Sequence, residues 1–189
     1  MASFSCRPAI PIRGRHNIEN VLAASVAAAR AGVSRESIAA AVRTFRAVEH
    51  RLEFVRALSG VEFYNDSKAT SVDATLKAVD AFPGGLWVIL GGKDKGLEYT
   101  ALREPLGAKA HAALLIGAAA PKIADQLQGA VPLVAAKTID AAVAHAYAHA
   151  VPGDTVLLAP ACASFDQFQS YEHRGQFFKQ VVNQLQAKD

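Results

Sequence analysis

Two lysines, Lys68 and Lys95, stand in short polar loops that each follow an apolar run. Lys68 lies in Asn65-Asp66-Ser67-Lys68-Ala69-Thr70, after Val61 to Tyr64. Lys95 lies in Gly91-Gly92-Lys93-Asp94-Lys95-Gly96, after Leu86 to Leu90. A third loop, Pro160-Ala161-Cys162-Ala163-Ser164, follows Thr155 to Leu158 and adds a hydroxyl. Two ammonium groups with the hydroxyls of Thr70 and Ser164 suit a small ligand that carries two carboxylates. Helix starts are expected near Thr70 and Ser164, where free backbone N–H groups would favour an anion further. Glycine at 91, 92 and 96 permits left-handed backbone and close approach.

Taken singly, each loop has a plainer reading. Gly91 to Gly96 could be a solvated turn, Asn65 to Ser67 a helix-capping loop, and Ala161 to Ser164 a packing site for small residues. Their recurrence at equivalent strand ends is what favours one shared ligand. His145 and His149, four apart on an expected helix, could in principle hold a metal. No third ligand accompanies them, so they read as surface histidines and no metal site is expected. Cys162 lies in the third loop without an evident base and reads as a packing thiol rather than a nucleophile.

The elements that must position these loops form an α/β pattern. Expected strands are Leu52 to Leu58, Val61 to Tyr64, Leu86 to Leu90, Ala113 to Ile116, Val131 to Val134 and Thr155 to Leu158, with a hairpin turn at Ser59-Gly60. Expected helices are Ser71 to Ala81, Pro121 to Gln128, Ile139 to Ala150 and Arg174 to Leu185. Continuous apolar strands alternating with helices imply a Rossmann-like, mostly parallel sheet covered on both faces. In such a sheet ligands sit beyond the carboxyl ends of the strands, so all three loops should share one rim. Before this region, Ile18 to Ala31 reads as a helix ended by Gly32, and Ser34 as the cap of a second helix carrying Ile38, Val42 and Phe45 on one face. This helical pair has little to pack on alone and reads as part of a larger partner domain.

Composition bounds the class. Of 189 residues, 51% are apolar and 20% charged, which excludes a disordered chain. A net charge of +3 with no Lys/Arg run excludes nucleic acid as the natural partner. Cys6 and Cys162 are too few for a disulfide framework and read as free thiols of a reducing compartment. The residues up to Gly14 lack the apolar stretch of a signal peptide, and no apolar run is long enough to span a bilayer. A soluble, cytoplasmic protein without membrane contact is expected. There is neither a Gly-x-x-x-x-Gly-Lys-[Ser/Thr] loop nor a Gly-x-Gly-x-x-Gly turn.

The three loops, the last extended as Ala159 to Phe168, resemble in order and spacing the C-terminal motifs of the Mur ligase family. So do Gly14-Arg15-His16-Asn17-Ile18-Glu19-Asn20 and Glu49-His50-Arg51-Leu52-Glu53. The likeness runs from about Arg13 onward. The segments Asn65–Thr70 and Ala161–Phe168 are the specific ones and resemble the D-glutamate-adding branch. The resemblance implies residues 1–47 as the tail of a central ATPase domain and 48–189 as the C-terminal, glutamate-binding domain. It implies ATP-dependent ligation of D-glutamate to UDP-N-acetylmuramoyl-L-alanine through an acyl phosphate, in cytoplasmic peptidoglycan precursor synthesis. It further implies that Asn17, Asn20, Arg51 and Asp66 serve ATP. Lys68, Thr70, Lys95, Ser164, Phe165 and Tyr171 would surround D-glutamate, with Lys68 and Lys95 acting in catalysis. Mg²⁺ is implied with ligands outside this chain, as is a monomer.

Three positions depart from the family's habit: Ser71 where Asn is common, Ala159 where Ser is common, and Tyr171 where Phe is common. The Tyr171 hydroxyl falls at a wall of the implied glutamate site. The chain is expected to be a fragment that does not turn over alone. A related ligase of another Mur or folylpolyglutamate type is disfavoured by the Ala161–Phe168 segment. A stand-alone, non-catalytic module binding glutamate or a nucleotide is the rival from another class.

Overall fold

The computed structural model describes residues 12–46 and 48–188. Cys6, expected as a free thiol, and Ala47, at the expected domain boundary, lie outside the described residues. The chain divides into two compact units, Met1–Val48 and Glu49–Asp189.

The first unit holds α1 (Arg15–Arg30) and α2 (Arg35–Thr44). Gly32 ends α1 as expected: at φ 88° it turns the chain so that the Val33 and Gly32 amides donate to the Ala28 and Ala29 carbonyls, both at 3.1 Å. Ser34 caps α2, its hydroxyl accepting from the Ser37 amide at 3.2 Å. No residue of α2 is buried, and Leu22 and Val26 of α1 are exposed.

The second unit is built on a six-stranded sheet. Its strands are β1 (Glu53–Leu58), β2 (Val61–Asn65), β3 (Leu86–Gly91), β4 (Ala110–Ile116), β5 (Leu133–Lys137) and β6 (Thr155–Leu158), in the order β1-β2-β6-β3-β4-β5. Only the β1–β2 hairpin is antiparallel; its turn places Ser59 and Gly60 both at positive φ, the geometry that matches strand twist. The other pairings are parallel.

Helices α3 (Val72–Asp80), α4 (Arg103–Lys109) and α5 (Ala120–Leu127) share one core cluster with one face of the sheet. Helices α6 (Ile139–His149) and α7 (Tyr171–Gln184) share the cluster on the other face. Crossovers β2-α3-β3-α4-β4-α5-β5 therefore run along one face, and the return through α6 brings β6 back between β2 and β3. The strand order thus reverses at β6, the position beyond whose carboxyl end sheets of this kind bind ligands.

The structure corrects four expected features. Helix α4 was not anticipated, because Pro105 and Gly107 lower its helical signal; Pro105 is harmless in a first turn, which needs no intrahelical N–H. Strand β5 runs from Leu133 to Lys137 rather than Val131 to Val134, since Pro132 has no N–H and contributes only its carbonyl, to the Ala113 amide at 2.9 Å. Helix α7 begins at Tyr171 rather than Arg174, with the Ser170 hydroxyl accepting from the His173 amide at 3.2 Å. No helix begins near Ser164; a turn follows it, the Gln167 and Phe168 amides donating to the Ser164 carbonyl at 3.2 and 2.9 Å.

The two edge strands are both irregular. β1 carries a bulge between Phe54 and Arg56, and the Arg56 guanidinium donates to the Val182 and Asn183 carbonyls, each at 3.2 Å. β5 is preceded by Pro132, shifts register beside Ile116 and ends in Lys137 at φ 69°.

Candidate functional site

Beyond the carboxyl ends of the adjacent strands β2, β6 and β3, three loops are tied to one another by backbone bonds. The Gly91 amide donates to the Pro160 carbonyl at 2.8 Å and Lys93 to Ala163 at 2.9 Å. The Ala161 amide donates to the Ala69 carbonyl at 2.9 Å, and Asp66 to Leu158 at 2.8 Å. Glycine is required at the closest approach: a Cβ on Gly91 would stand 2.0 Å from the Ile116 carbonyl oxygen, and one on Gly92 2.3 Å from that of Ala163.

Arg174, only 1% exposed, clamps two of the loops from beneath. Its Nε donates to Ser67 Oγ at 2.9 Å, Nη2 to the Ser67 carbonyl at 2.7 Å, and Nη1 to the Cys162 carbonyl at 3.1 Å. Burial pulls its pKa down to about 10, so it remains a cation at neutral pH. Ser67 passes the connection on, donating from Oγ to the Tyr171 carbonyl at 2.8 Å. No sequence signal marked Arg174, which reads as one more polar residue of a helical pattern; only the sheet order brings it under Ser67 and Cys162.

Above this floor lie the groups expected to meet a dicarboxylate. Lys68 is exposed, and its Nζ donates to the Tyr171 hydroxyl at 3.1 Å while standing 4.9 Å from that ring's centroid. The Tyr171 departure thus places a hydroxyl against the first lysine. Thr70 is half-buried, two residues before the start of α3, where Ser71 Oγ accepts from the Ala74 amide at 3.3 Å. Lys95 is exposed on its glycine-bounded loop. Ser164 is buried in its turn, and Phe165 beside it is 65% exposed.

Of the residues expected to serve a nucleotide, Asn17 and Asn20 stand on α1; Asn17 Nδ2 donates to the Arg13 carbonyl at 2.6 Å, and Asn20 is exposed. Arg51 and Asp66 belong to the second unit. Asp66 is nearly enclosed, and burial raises its pKa to about 6 against the lowering effects of the Leu52 amide, 3.2 Å from Oδ1, and of the Arg51 charge.

Next to this group, Asn65 Nδ2 lies 2.9 Å from His50 Nδ1 and donates to Glu53 Oε2 at 3.0 Å. Glu49, His50 and Glu53 form the one cluster with metal-ligand spacing among the described residues. Its cation is already supplied: Lys179 Nζ bridges Glu49 Oε1 at 2.6 Å and Glu53 Oε1 at 2.9 Å.

His145 and His149 stack on each other with centroids 4.3 Å apart, His149 Nδ1 lies 2.8 Å from the His145 carbonyl, and both rings lie against Trp87. Cys162 is fully buried, and burial pushes its thiol pKa up, as befits a packing residue. No helix among the described residues is long and apolar enough to cross a membrane.

Residues 50–162 match the family described as Mur ligase, glutamate ligase domain. The chain is 81% identical over 180 residues to a UDP-N-acetylmuramoylalanine–D-glutamate ligase of Solibacter usitatus, covering 95% of this chain and 41% of that protein. It is 62% identical over 173 residues to the ligase of the same name in Acidobacterium capsulatum, covering 92% and 38%. The chain thus spans about two fifths of the length of these curated relatives.

Among solved structures, the UDP-N-acetylmuramate-alanine ligase MurC of Thermotoga maritima superposes with TM-score 0.69 at 12% identity, over 92% of this chain and 39% of that one. MurF ligase of the same organism, solved in complex with ADP, gives 0.62 at 16% identity, over 90% and 39%. At these identities the likeness concerns the fold.

Proposed function

Because this chain belongs to the Mur ligase family, whose glutamate ligase domain it contains, we propose that it is the amino-acid-binding part of an ATP-dependent ligase. That ligase joins D-glutamate to UDP-N-acetylmuramoyl-L-alanine in cytoplasmic peptidoglycan precursor synthesis. Residues 48–189 are the glutamate-binding domain in this reading, and residues 1–47 the tail of the central ATPase domain. The observation that carries it is the joining of the Lys68, Lys95 and Ser164 loops at the ends of three adjacent strands. The naming of relatives up to 81% identical supports it.

Lys68 and Lys95 pair with the two carboxylates of the amino acid, whose burial unpaired would be costly. That pairing also lowers the pKa of the α-ammonium, which eases loss of the proton it must give up before it attacks. Thr70 and Ser164 supply hydroxyls, and Tyr171 and Phe165 wall the site. The contribution of these groups is orientation: they hold the nitrogen toward the carboxyl carbon it attacks. ATP supplies the phosphoryl group that activates that carboxylate.

The donor set on this chain fits a nucleotide's sugar–phosphate side. Asp66 accepts from hydroxyls once ionised, and Arg51 carries the charge for a phosphate. In the first unit, taken by itself, the family likeness assigns Asn17 and Asn20 to the base of the nucleotide. Mg²⁺ is implied by the family, with ligands outside this chain; Glu49, His50 and Glu53 are not needed for it, given the Lys179 bridge.

Titration calorimetry of the chain with D-glutamate and then L-glutamate tests the reading. Binding of the D-isomer, lost in Lys95→Ala, is expected. In the complete ligase the same substitution should raise the KM for D-glutamate far more than that for ATP. Equal losses for the two substrates would remove Lys95 from the amino-acid site.

A further inference from the structure

Tyr99 lies just past the lysine loop and is fully buried, yet its hydroxyl is fully engaged. It donates to Asp94 Oδ1 at 2.9 Å and stands 3.1 Å from Cys162 Sγ. A carboxylate can only accept, so the single phenolic proton goes to Asp94. The phenol oxygen then accepts from the Cys162 thiol, which burial keeps protonated.

The same Asp94 oxygen accepts from the Gly96 amide at 3.1 Å, while Oδ2 faces Lys122 Nζ at 3.3 Å. Asp94 and Gly96 flank Lys95. Their bond closes a small ring of backbone around that residue, and the Tyr99 hydroxyl anchors the ring from inside the core. On its other side, the phenol meets Cys162, two residues from Ser164, whose own strand end is held by Arg174. The phenol therefore bridges the loop that bears Lys95 and the loop that bears Ser164.

We propose that Tyr99 is a positioning residue for amino-acid binding: its buried hydroxyl, shared between Asp94 and Cys162, fixes the Lys95 loop relative to the Ser164 loop. This inference rests on the amino-acid-binding role of Lys95 proposed above. Phenylalanine would fill the same space and remove this side-chain tie, leaving the loop held by the Gly91 and Lys93 backbone bonds and by Lys122. The Tyr99 hydrogen bond is the leading influence holding the Asp94 carboxyl below its ordinary pKa, which gives a reporter independent of any ligand.

The test compares the full chain with its Tyr99→Phe variant. D-glutamate affinity is read by calorimetry, Asp94 titration by carboxyl-carbon NMR and Gly96 amide exchange by NMR. We expect about tenfold weaker binding in the variant, an upward move of the Asp94 titration and faster Gly96 exchange.

Asp94→Ala, which removes the acceptor of both bonds and leaves the buried ring in place, should weaken binding similarly and stands in if Tyr99→Phe does not fold. D-glutamate binding by the parent chain that is unchanged in both variants overturns the positioning role and leaves the proposed function standing. A parent chain that binds no D-glutamate overturns the function and the inference together.

Discussion

At the scale of single residues, the site is governed by two buried charges whose environments differ. Arg174 satisfies three acceptors on two loops, and no shorter or differently shaped cation reproduces that fork. Arg174→Lys should cost about 2–4 kcal/mol of stability, measured by denaturant unfolding, because buried carbonyls lose their donors.

Asp66 is the opposite case, an acid whose folded pKa of about 6 lies above its unfolded value of 3.8. The folded state binds the proton more tightly between those values, so stability should fall as pH rises from about 4 to about 6. The amplitude is on the order of 3 kcal/mol. Asp66→Asn should flatten that part of the profile of melting temperature against pH; an unchanged slope would assign it to another group.

The residues legible from sequence were those proposed to meet ligand: Lys68, Thr70, Lys95 and Ser164 advertise themselves by chemistry in loops. Arg174 and Tyr99 were not legible. Their roles come from contacts to residues far away in the chain, Ser67 for one and Cys162 for the other.

At the scale of elements, the alternation of strand and helix was readable because parallel strands are buried on both faces and so are continuously apolar. The hairpin at Ser59-Gly60, the stop at Gly32 and the start at Ser34 were readable from local turn and capping chemistry. What failed was local signal overruled by context. A first-turn proline hid α4, and Ser164, although polar and following a strand, opens a turn whose amides fold back on its own carbonyl. The loop after β3 makes the tightest demand on sequence. Gly92→Ala would set a Cβ against the Ala163 carbonyl at a φ of 138°. It should lower stability by roughly 1–3 kcal/mol and weaken D-glutamate binding, both read on the same sample by thermal unfolding and calorimetry.

At the scale of the whole molecule, both core clusters lie within the second unit. A chain of residues 49–189 alone should therefore melt cooperatively within a few degrees of the full one. Residues 1–48 alone should show little helix by circular dichroism, since a short helix pair with no buried residue in α2 has little tertiary packing to sustain it. A large drop in melting temperature on removing residues 1–48 would show that the division is not energetic.

The two irregular margins of the sheet have a consequence for how the protein behaves in company. A flat outer strand offers a row of unpaired amides and carbonyls to any neighbouring chain. Here one margin is bent by a bulge, with its own Arg56 turned to the Val182 and Asn183 carbonyls; the other is short, follows a proline and turns aside at a left-handed lysine. Neither presents the straight template that strand-by-strand polymerisation needs, so the protein should stay dispersed at the high concentrations where flat-edged sheets join into fibres.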